Sequence, residues 1–395
     1  MDLQTFFKER FLKGVLVLTF CIAVEHNIMA QQDNYTTSPY TREKRGITRP
    51  RLARLRETLL DAHKNPDYRF LALHRAAWTS GFPENSMAAI KRAIEVKDVD
   101  MIEIDLKTSS DGKVYLMHDS YLQRTTNFLD THPNRYGTQT TPRGKGQAGD
   151  NFGTAEEVYS WNELKDLRLK NDENTYTNER IPLLKDVIEI TKGKDVILQL
   201  DITDDATFGK AMKVVKDKDA FSFVMFKGIK TPVQFERFIT QYQLSEEQKQ
   251  ELIFAPIVDV RSIPKHDETS PMTLYNDWEK WRKDHPLYKG IGGIYEIVFK
   301  TPKDDPDIFK VAKAIKSGGK RLSTFSSQPA HYKGHYIGNV NAGTNRFSDK
   351  PQEERRGDFD FILAPSGNQN TGVDGYIITD EVTTFLDYFP NRVIQ

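Results

Sequence analysis

The feature that most restricts this chain is an alternation of short apolar runs with amphipathic helical segments, sustained from Phe70 to Tyr388. Eight runs read as strands: Phe70 to Leu73, Met101 to Leu106, Val196 to Leu200, Phe221 to Phe226, Leu252 to Ile257, Ile294 to Phe299, Arg321 to Phe325 and Gly375 to Thr379. Around them, apolar residues recur at helical spacing over Ser86 to Val96, Leu183 to Thr191, Ala206 to Lys216, Pro232 to Tyr242, Pro271 to Lys283, Asp307 to Ser317 and Val382 to Tyr388. Parallel neighbours need a crossover, usually helical, so the alternation predicts an α/β fold. Eight strands predict a closed (β/α)8 barrel, one domain with loop insertions on the C-terminal face of the strands.

A helix from Pro50 to about His63, apolar at Leu52, Leu55, Leu59 and Leu60, precedes the first strand and is expected to close one end of the barrel. Two polar stretches, 128–159 and 328–350, each follow a strand's C-terminal end, where long loops shape a pocket rather than a core. At the N-terminus, Lys8, Arg10 and Lys13 precede an apolar run from Val15 to Val24 and then Ile28-Met29-Ala30. This pattern predicts a signal peptide over 1–30, a polar linker over 31–49 and the barrel domain over 50–395.

The apolar run falls well short of the ~20 residues of a spanning helix, so the mature chain is expected to be exported, periplasmic or secreted, with no stable membrane anchor. The single cysteine, Cys21, lies inside the signal, which excludes disulfides, thiol catalysis and cysteine-based metal sites from the mature protein. Lys plus Arg and Asp plus Glu balance at 56 each, leaving no global field that would favour nucleic acid or an anionic membrane. Any anion recognition must be local.

Strand periodicity locates the candidate chemistry, because residues two apart share a face. Glu103 and Asp105 point one way while Ile102, Ile104 and Leu106 point the other, under the helices; the two acids therefore face the barrel lumen. They would repel and take up protons unless a cation sat between them. By the same parity Asp201 and Lys227 join the lumen set, and Glu296, in phase with Ile294 and Val298, is a further candidate. His74-Arg75 ends the first strand, and Asp111-Gly112 turns the chain into a run ending at His118-Asp119, so two histidines bracket the acids. Such a set suits phosphoryl chemistry: carboxylates hold a divalent cation, the cation and Arg75 neutralise phosphate oxygens, and two imidazoles serve as acid and base. Three carboxylates, a dication, a phosphodiester anion, Arg75 and Lys227 sum to zero charge. Oxygen ligands favour Ca2+ or Mg2+ over zinc.

The run His74-Arg75, Pro83-Glu84-Asn85-Ser86, Glu103-Ile104-Asp105, Thr108, Asp111-Gly112, His118-Asp119 and Arg124-Thr125-Thr126, with the ending Gly372-Val373-Asp374-Gly375-Tyr376-Ile377-Ile378-Thr379-Asp380, resembles the glycerophosphodiester phosphodiesterase family in order and spacing. The resemblance spans about Phe70 to Tyr388. It implies a TIM barrel that hydrolyses glycerophosphodiesters to glycerol 3-phosphate and an alcohol, with Ca2+ or Mg2+ held by Glu103, Asp105 and Asp201. It further implies His74 and His118 as general acid and base and Arg75 as the phosphate-binding arginine, with a substrate hydroxyl able to attack first and give a cyclic phosphate.

The chain departs from the family at several positions. Ala76 stands where the family has glycine after His-Arg, Asp201 where it has glutamate, and Thr203 where it commonly has lysine, a cation that Lys227 is expected to supply. The family's tryptophan motif near the seventh strand is absent around Thr324-Phe325-Ser326-Ser327. These differences keep two alternatives open: a related phosphodiesterase acting on inositol or sphingoid headgroups, and a non-catalytic headgroup-binding barrel. Glu84 and Asn85 are read as positioning a loop and capping the next helix, and Asp374 and Asp380 as shaping the last strand's ends. His331 and His335 surround Gly334 in polar sequence, and no second metal site is expected there.

Overall fold

A computed structural model of the chain describes residues 51–394 except 79–80, 120–121, 123, 132–158, 259–269, 301–303, 305, 333–334, 340–354 and 368, with the backbone alone for 327–332 and 335–339. The expected signal peptide and linker, and most of the 128–159 stretch, lie outside the described residues. The strands, in chain order, are β1 (Phe70–Leu73), β2 (Met101–Thr108), β3 (Val114–Leu116), β4 (Arg168–Lys170), β5 (Tyr176–Arg180), β6 (Ile197–Asp201), β7 (Val224–Gly228), β8 (Ile253–Pro256), β9 (Gly290–Ile291), β10 (Ile294–Glu296), β11 (Arg321–Tyr332), β12 (His335–Asn339) and β13 (Tyr376–Thr379).

Parallel pairing runs β1–β2–β6–β7–β8–β9 on one side of β1 and β13–β11–β10 on the other. A parallel bridge between Ile257 and Glu296 joins the two ends. The result is the expected (β/α)8 barrel, a TIM barrel of eight staves whose sixth is split into β9 and β10. Gly292 breaks that stave at φ +69°, a left-handed conformation glycine adopts without penalty. Helix α1 (Arg51–Leu60) precedes the first stave, and the helices flanking the staves are α2 (Met87–Glu95), α3 (Leu184–Thr191), α4 (Asp205–Asp217), α5 (Pro232–Tyr242), α6 (Pro271–Asp284), α7 (Pro306–Ser317) and α8 (Val382–Tyr388). Their starts follow local capping chemistry: Ser86, Asp204, Thr231 and Ser270 each accept a hydrogen bond from a backbone N–H of the first turn of α2, α4, α5 and α6.

Several sequence expectations move. The fourth strand begins at Val224 rather than Phe221, because Phe223 and Val224 donate back to Ala220 in a turn. The sixth ends at Glu296, short of Phe299. The stretch expected as a loop after the seventh strand is in part a hairpin, because β11 runs on to Tyr332 and pairs antiparallel with β12. After β2 the chain turns into β3, which pairs back on it, and β4 and β5 form a separate ribbon. A satellite core containing Tyr115, Leu164, Leu169 and Ile181 holds this excursion together before α3 resumes the barrel.

The lumen floor follows the period-2 rule. Phe70, Ala72, Met101, Ile197, Met225, Ile253, Ala255, Ile294, Tyr376 and Ile378 fill it, and Leu55 and Leu59 of α1 plug it from below. One step further along the same faces come polar residues.

Two buried polar hubs fasten α1 and its following loop to this floor. Asp100, fully buried, binds Arg51 and Arg392, accepts from the Tyr68 hydroxyl at 2.8 Å, and accepts from the Leu71 N–H at 2.9 Å. Arg321, also fully buried, donates to backbone carbonyls that include those of Thr58, Lys64, Asn65 and Asp374. Burial pushes its guanidinium down to about 10.

Candidate active site

Above the apolar floor, the lumen faces of β2, β6, β7 and β10 carry Glu103 and Asp105 from the middle of β2, and Asp201, Lys227 and Glu296 from the C-terminal ends of their strands. The adjacent strands β2 and β6 set Asp105 directly opposite Asp201, and Asp201 opposite Lys227 on β7. Glu103, Asp105 and Asp201 each present an oxygen within 4.8 Å of the others. Burial pushes the Glu103 carboxyl well above its usual range, reinforced by Asp105 and Asp201 and only partly offset by Lys227. Burial also acts to raise Asp105, but His118, Arg75 and His74 outweigh it and hold this carboxyl low. A lumen in which one of three converging acids is driven towards protonation is short of positive charge. The donor set is all oxygen, and it therefore fits a hard divalent cation.

Lys227 is 1% exposed, and its ammonium lies 2.7 Å from Asp201, 3.4 Å from Glu296 and 4.0 Å from Glu103. Desolvation works against this charge, but Asp201, Glu296 and Glu103 prevail and hold the ammonium above the ordinary lysine range. Glu296 in turn accepts from the Tyr376 hydroxyl at 2.7 Å. The lysine's nearest charges are thus carboxylates, and it lies beneath the mouth of the site rather than at its rim.

His74 Nδ1 lies 2.8 Å from Asp380, which also accepts from Trp78 Nε1 at 2.7 Å. His118 Nδ1 lies 2.7 Å from Asp119. An ionised carboxylate only accepts, so each pairing fixes the proton on Nδ1 and leaves Nε2 for proton exchange. The two rings differ in setting. The His74 side chain is 6% exposed and packs edge-on against Phe325, whereas His118 is 47% exposed.

Arg75 and Ala76 both take positive φ, +52° and +65°. This turn lets the Arg75 N–H donate to the Glu103 carboxylate and the Ala76 N–H donate to the Glu103 carbonyl, both at 2.9 Å. The position where the family has glycine thus does need a left-handed backbone, and here alanine carries it. The Arg75 side chain is clamped by Glu84, with Nη1 at 3.1 and 3.0 Å from its two oxygens, while Nε lies 3.3 Å from Asp105. Asn85, at φ +54°, donates to the Asp105 carboxylate at 2.8 Å and accepts from the Asp105 N–H. The cap of α2 is Ser86, and Glu84 and Asn85 hold the site.

Arg75 and Arg124 outweigh the burial of Glu84 and depress its carboxyl from 4.5 to about 2. A group depressed on folding stabilises the protein fully above its unfolded value and loses that contribution as pH falls through the folded one. The depression corresponds to roughly 3 kcal/mol. Glu84→Gln is therefore expected to lower stability by about that amount at neutral pH, with the gap to the parent closing between about pH 4.5 and 2. Urea unfolding at stepped pH measures it; a gap independent of pH would rule out this origin.

His74, Arg75, Glu84, Asn85, Glu103, Asp105, His118, Asp201, Lys227 and Glu296 thus lie in this cluster or border it, whereas Asp374 lies at the opposite end of the barrel, where its carboxylate accepts from the Leu322 N–H. Asp380 was legible by the same rule, since Tyr376, Ile378 and Asp380 alternate on one face of β13. Arg124 stands in the Arg124-Thr125-Thr126 run of the resemblance, but its partners Glu84 and Asp119 were not legible, because the loop that brings it to them has no period. In the hairpin backbone His331 pairs with Tyr336 and His335 with Tyr332, and the histidine side chains lie outside the described residues.

A sequence model of the glycerophosphoryl diester phosphodiesterase family matches residues 74–241. A glycerophosphodiester phosphodiesterase of Caldanaerobacter subterraneus is 32% identical over 122 residues, 30% of this chain and 40% of that protein. Glycerophosphodiester phosphodiesterase 1 of Bos taurus is 28% identical over 137 residues, 35% of each chain. The chain thus spans about two fifths of the length of these curated relatives. In fold, it is similar to the crystal structure of a glycerophosphoryl diester phosphodiesterase from Parabacteroides distasonis, with TM-score 0.54 and 20% identity, covering 87% of this chain and 92% of that one. Over residues 74–241, this chain is thus similar to the glycerophosphoryl diester phosphodiesterase family.

Proposed function

We propose that this chain is a metal-dependent phosphodiesterase that hydrolyses glycerophosphodiesters to glycerol 3-phosphate and an alcohol. The observation that carries the reading is the pairing of two imidazoles, each with its Nδ1 proton fixed by its own carboxylate, with a converging carboxylate triad on the same barrel mouth. A binding site for a headgroup needs charge complementarity, but it needs no second proton carrier.

Glu103, Asp105 and Asp201 would hold one Ca2+ or Mg2+ ion, which when bound supplies charge neutralisation and polarisation at the phosphoryl oxygens. Arg75 binds a phosphate oxygen, held in place by Glu84, and Lys227 adds positive charge from below. One of His74 and His118 takes the proton of the attacking hydroxyl through Nε2 as the new P–O bond forms. The other gives its proton to the departing alkoxide as the old P–O bond breaks. If the glycerol hydroxyl attacks first, the cyclic phosphate is opened by water with the two roles exchanged. The substrate is a small phosphodiester: nothing in the charge balance favours nucleic acid, and no helix among the described residues is long and apolar enough to cross a membrane. The first thirty residues direct export on this reading.

The purified protein is expected to release glycerol 3-phosphate from a glycerophosphodiester, to lose that activity on chelation, and to regain it with Ca2+ or Mg2+. Metal analysis alongside a panel of glycerol, inositol and sphingoid phosphodiesters tests the reading. Metal-loaded protein that cleaves none of them would count for the binding barrel, and exclusive cleavage of the inositol or sphingoid compounds for the related phosphodiesterase.

A further inference from the structure

We propose that Arg124 is a positioning residue that holds Arg75 and His118 in one fixed array; the inference rests on the phosphodiesterase reading above. Its guanidinium forks between two carboxylates. Nη1 and Nη2 donate to Glu84 at 3.0 and 2.7 Å, and Nη2 donates to Asp119 at 2.9 Å while Nε also binds that residue. Glu84 is the carboxylate that clamps Arg75, and Asp119 is the one that pairs with His118. An unbroken chain of charged hydrogen bonds therefore runs from the phosphate-binding guanidinium to the solvent-facing imidazole, with Arg124 as its central link.

The need for such a link follows from exposure. The His118 side chain is 47% exposed, and its ring is fixed through Asp119. An exposed side chain loses rotamer freedom only if its partner is itself immobile. Asp119 and Glu84 are 11% and 6% exposed, and a planar fork that engages both at once fixes them relative to each other. Lysine, a point charge, can neutralise them but cannot impose that geometry.

The test uses the full chain with Ca2+ or Mg2+ and compares wild type, Arg124→Gln, Arg124→Lys and the double variant Arg124→Gln/Asp119→Asn. Loss of orienting partners of this kind typically costs 10- to 100-fold. We expect kcat on a glycerophosphodiester to fall about 100-fold in Arg124→Gln and about 10-fold in Arg124→Lys, with KM within about threefold. The double variant should be no worse than Arg124→Gln alone, because both changes cut one chain. Metal affinity by calorimetry should stay within about twofold, which separates positioning from general loss of structure. Wild-type kcat in Arg124→Gln, or a loss of kcat, KM and metal affinity together, would overturn the proposal. If the wild type cleaves no phosphodiester, the proposed function fails on its own, and nitrogen-15 spectra of the histidine rings decide the positioning role. A slowly exchanging His118 Nδ1–H is expected in wild type, faster exchange in Arg124→Lys, and loss of the signal in Arg124→Gln; its persistence in Arg124→Gln would refute it.

Discussion

Replacing His118 by alanine is expected to lower kcat on a glycerophosphodiester by about 10^3-fold while leaving divalent-ion affinity and stability nearly unchanged. A positioned general acid or base contributes about 10^2 to 10^4 in rate, and this imidazole is the more exposed of the two. Removing it leaves Asp119 still bound to Arg124, so no buried charge is abandoned. His74→Ala is a less clean experiment, because it takes a buried ring from Asp380 and Phe325 and adds a packing loss to the chemical one. Steady-state kinetics, calorimetric metal binding and a thermal melt on His118→Ala give the answer. A variant that keeps most of its turnover would remove His118 from the mechanism, and one that alters only ligand affinity would favour a binding protein.

The largest effect on stability is expected at the opposite end of the barrel. Asp100→Ala should lower the free energy of unfolding by about 3–5 kcal/mol, the usual cost of removing one partner from a buried ion pair. Its carboxylate is buried between Arg51 and Arg392, whose side chains are 13% and 6% exposed, and it also receives the Tyr68 hydroxyl and the Leu71 N–H. The substitution strands two cations and unfastens α1 and the C-terminal tail together. Urea unfolding measures the loss, and a change below about 1 kcal/mol would show that solvent replaces these contacts. Because the hub lies below the apolar floor, activity per folded molecule should stay the same.

How far these arguments were available before folding depends on the kind of order involved. The eight staves and their helices were legible because burial on both faces of a barrel wall imposes apolar runs, and crossover helices impose a 3.6-residue repeat. Glu103, Asp105, Asp201, Lys227 and Glu296 were legible as lumen residues because a strand alternates its faces without exception over a few residues. Asp380 obeys the same rule, but an acid ending a strand has an ordinary structural explanation, so periodicity alone does not mark it as a histidine partner.

Where the physics is not periodic, the sequence was silent. The split of the sixth stave at Gly292, the continuation of β11 into a hairpin and the β4–β5 ribbon depend on which groups find partners in space, which no repeat encodes even between near neighbours along the chain. So does the Arg124 fork, whose two carboxylates lie 40 and 5 positions away along the chain.

What this sequence determined by itself was a barrel wall, the face on which each acid lies, and the residue types on which the proposed phosphoryl chemistry rests. Those are consequences of local periodicity and side-chain chemistry. Only the tertiary structure decided that Lys227 is bound by three carboxylates, that each histidine has its own acid, and that Glu84 and Arg124 tie Arg75 to Asp119. Partner choice among charges is a matter of distance and desolvation in space, and neither quantity is written along a chain.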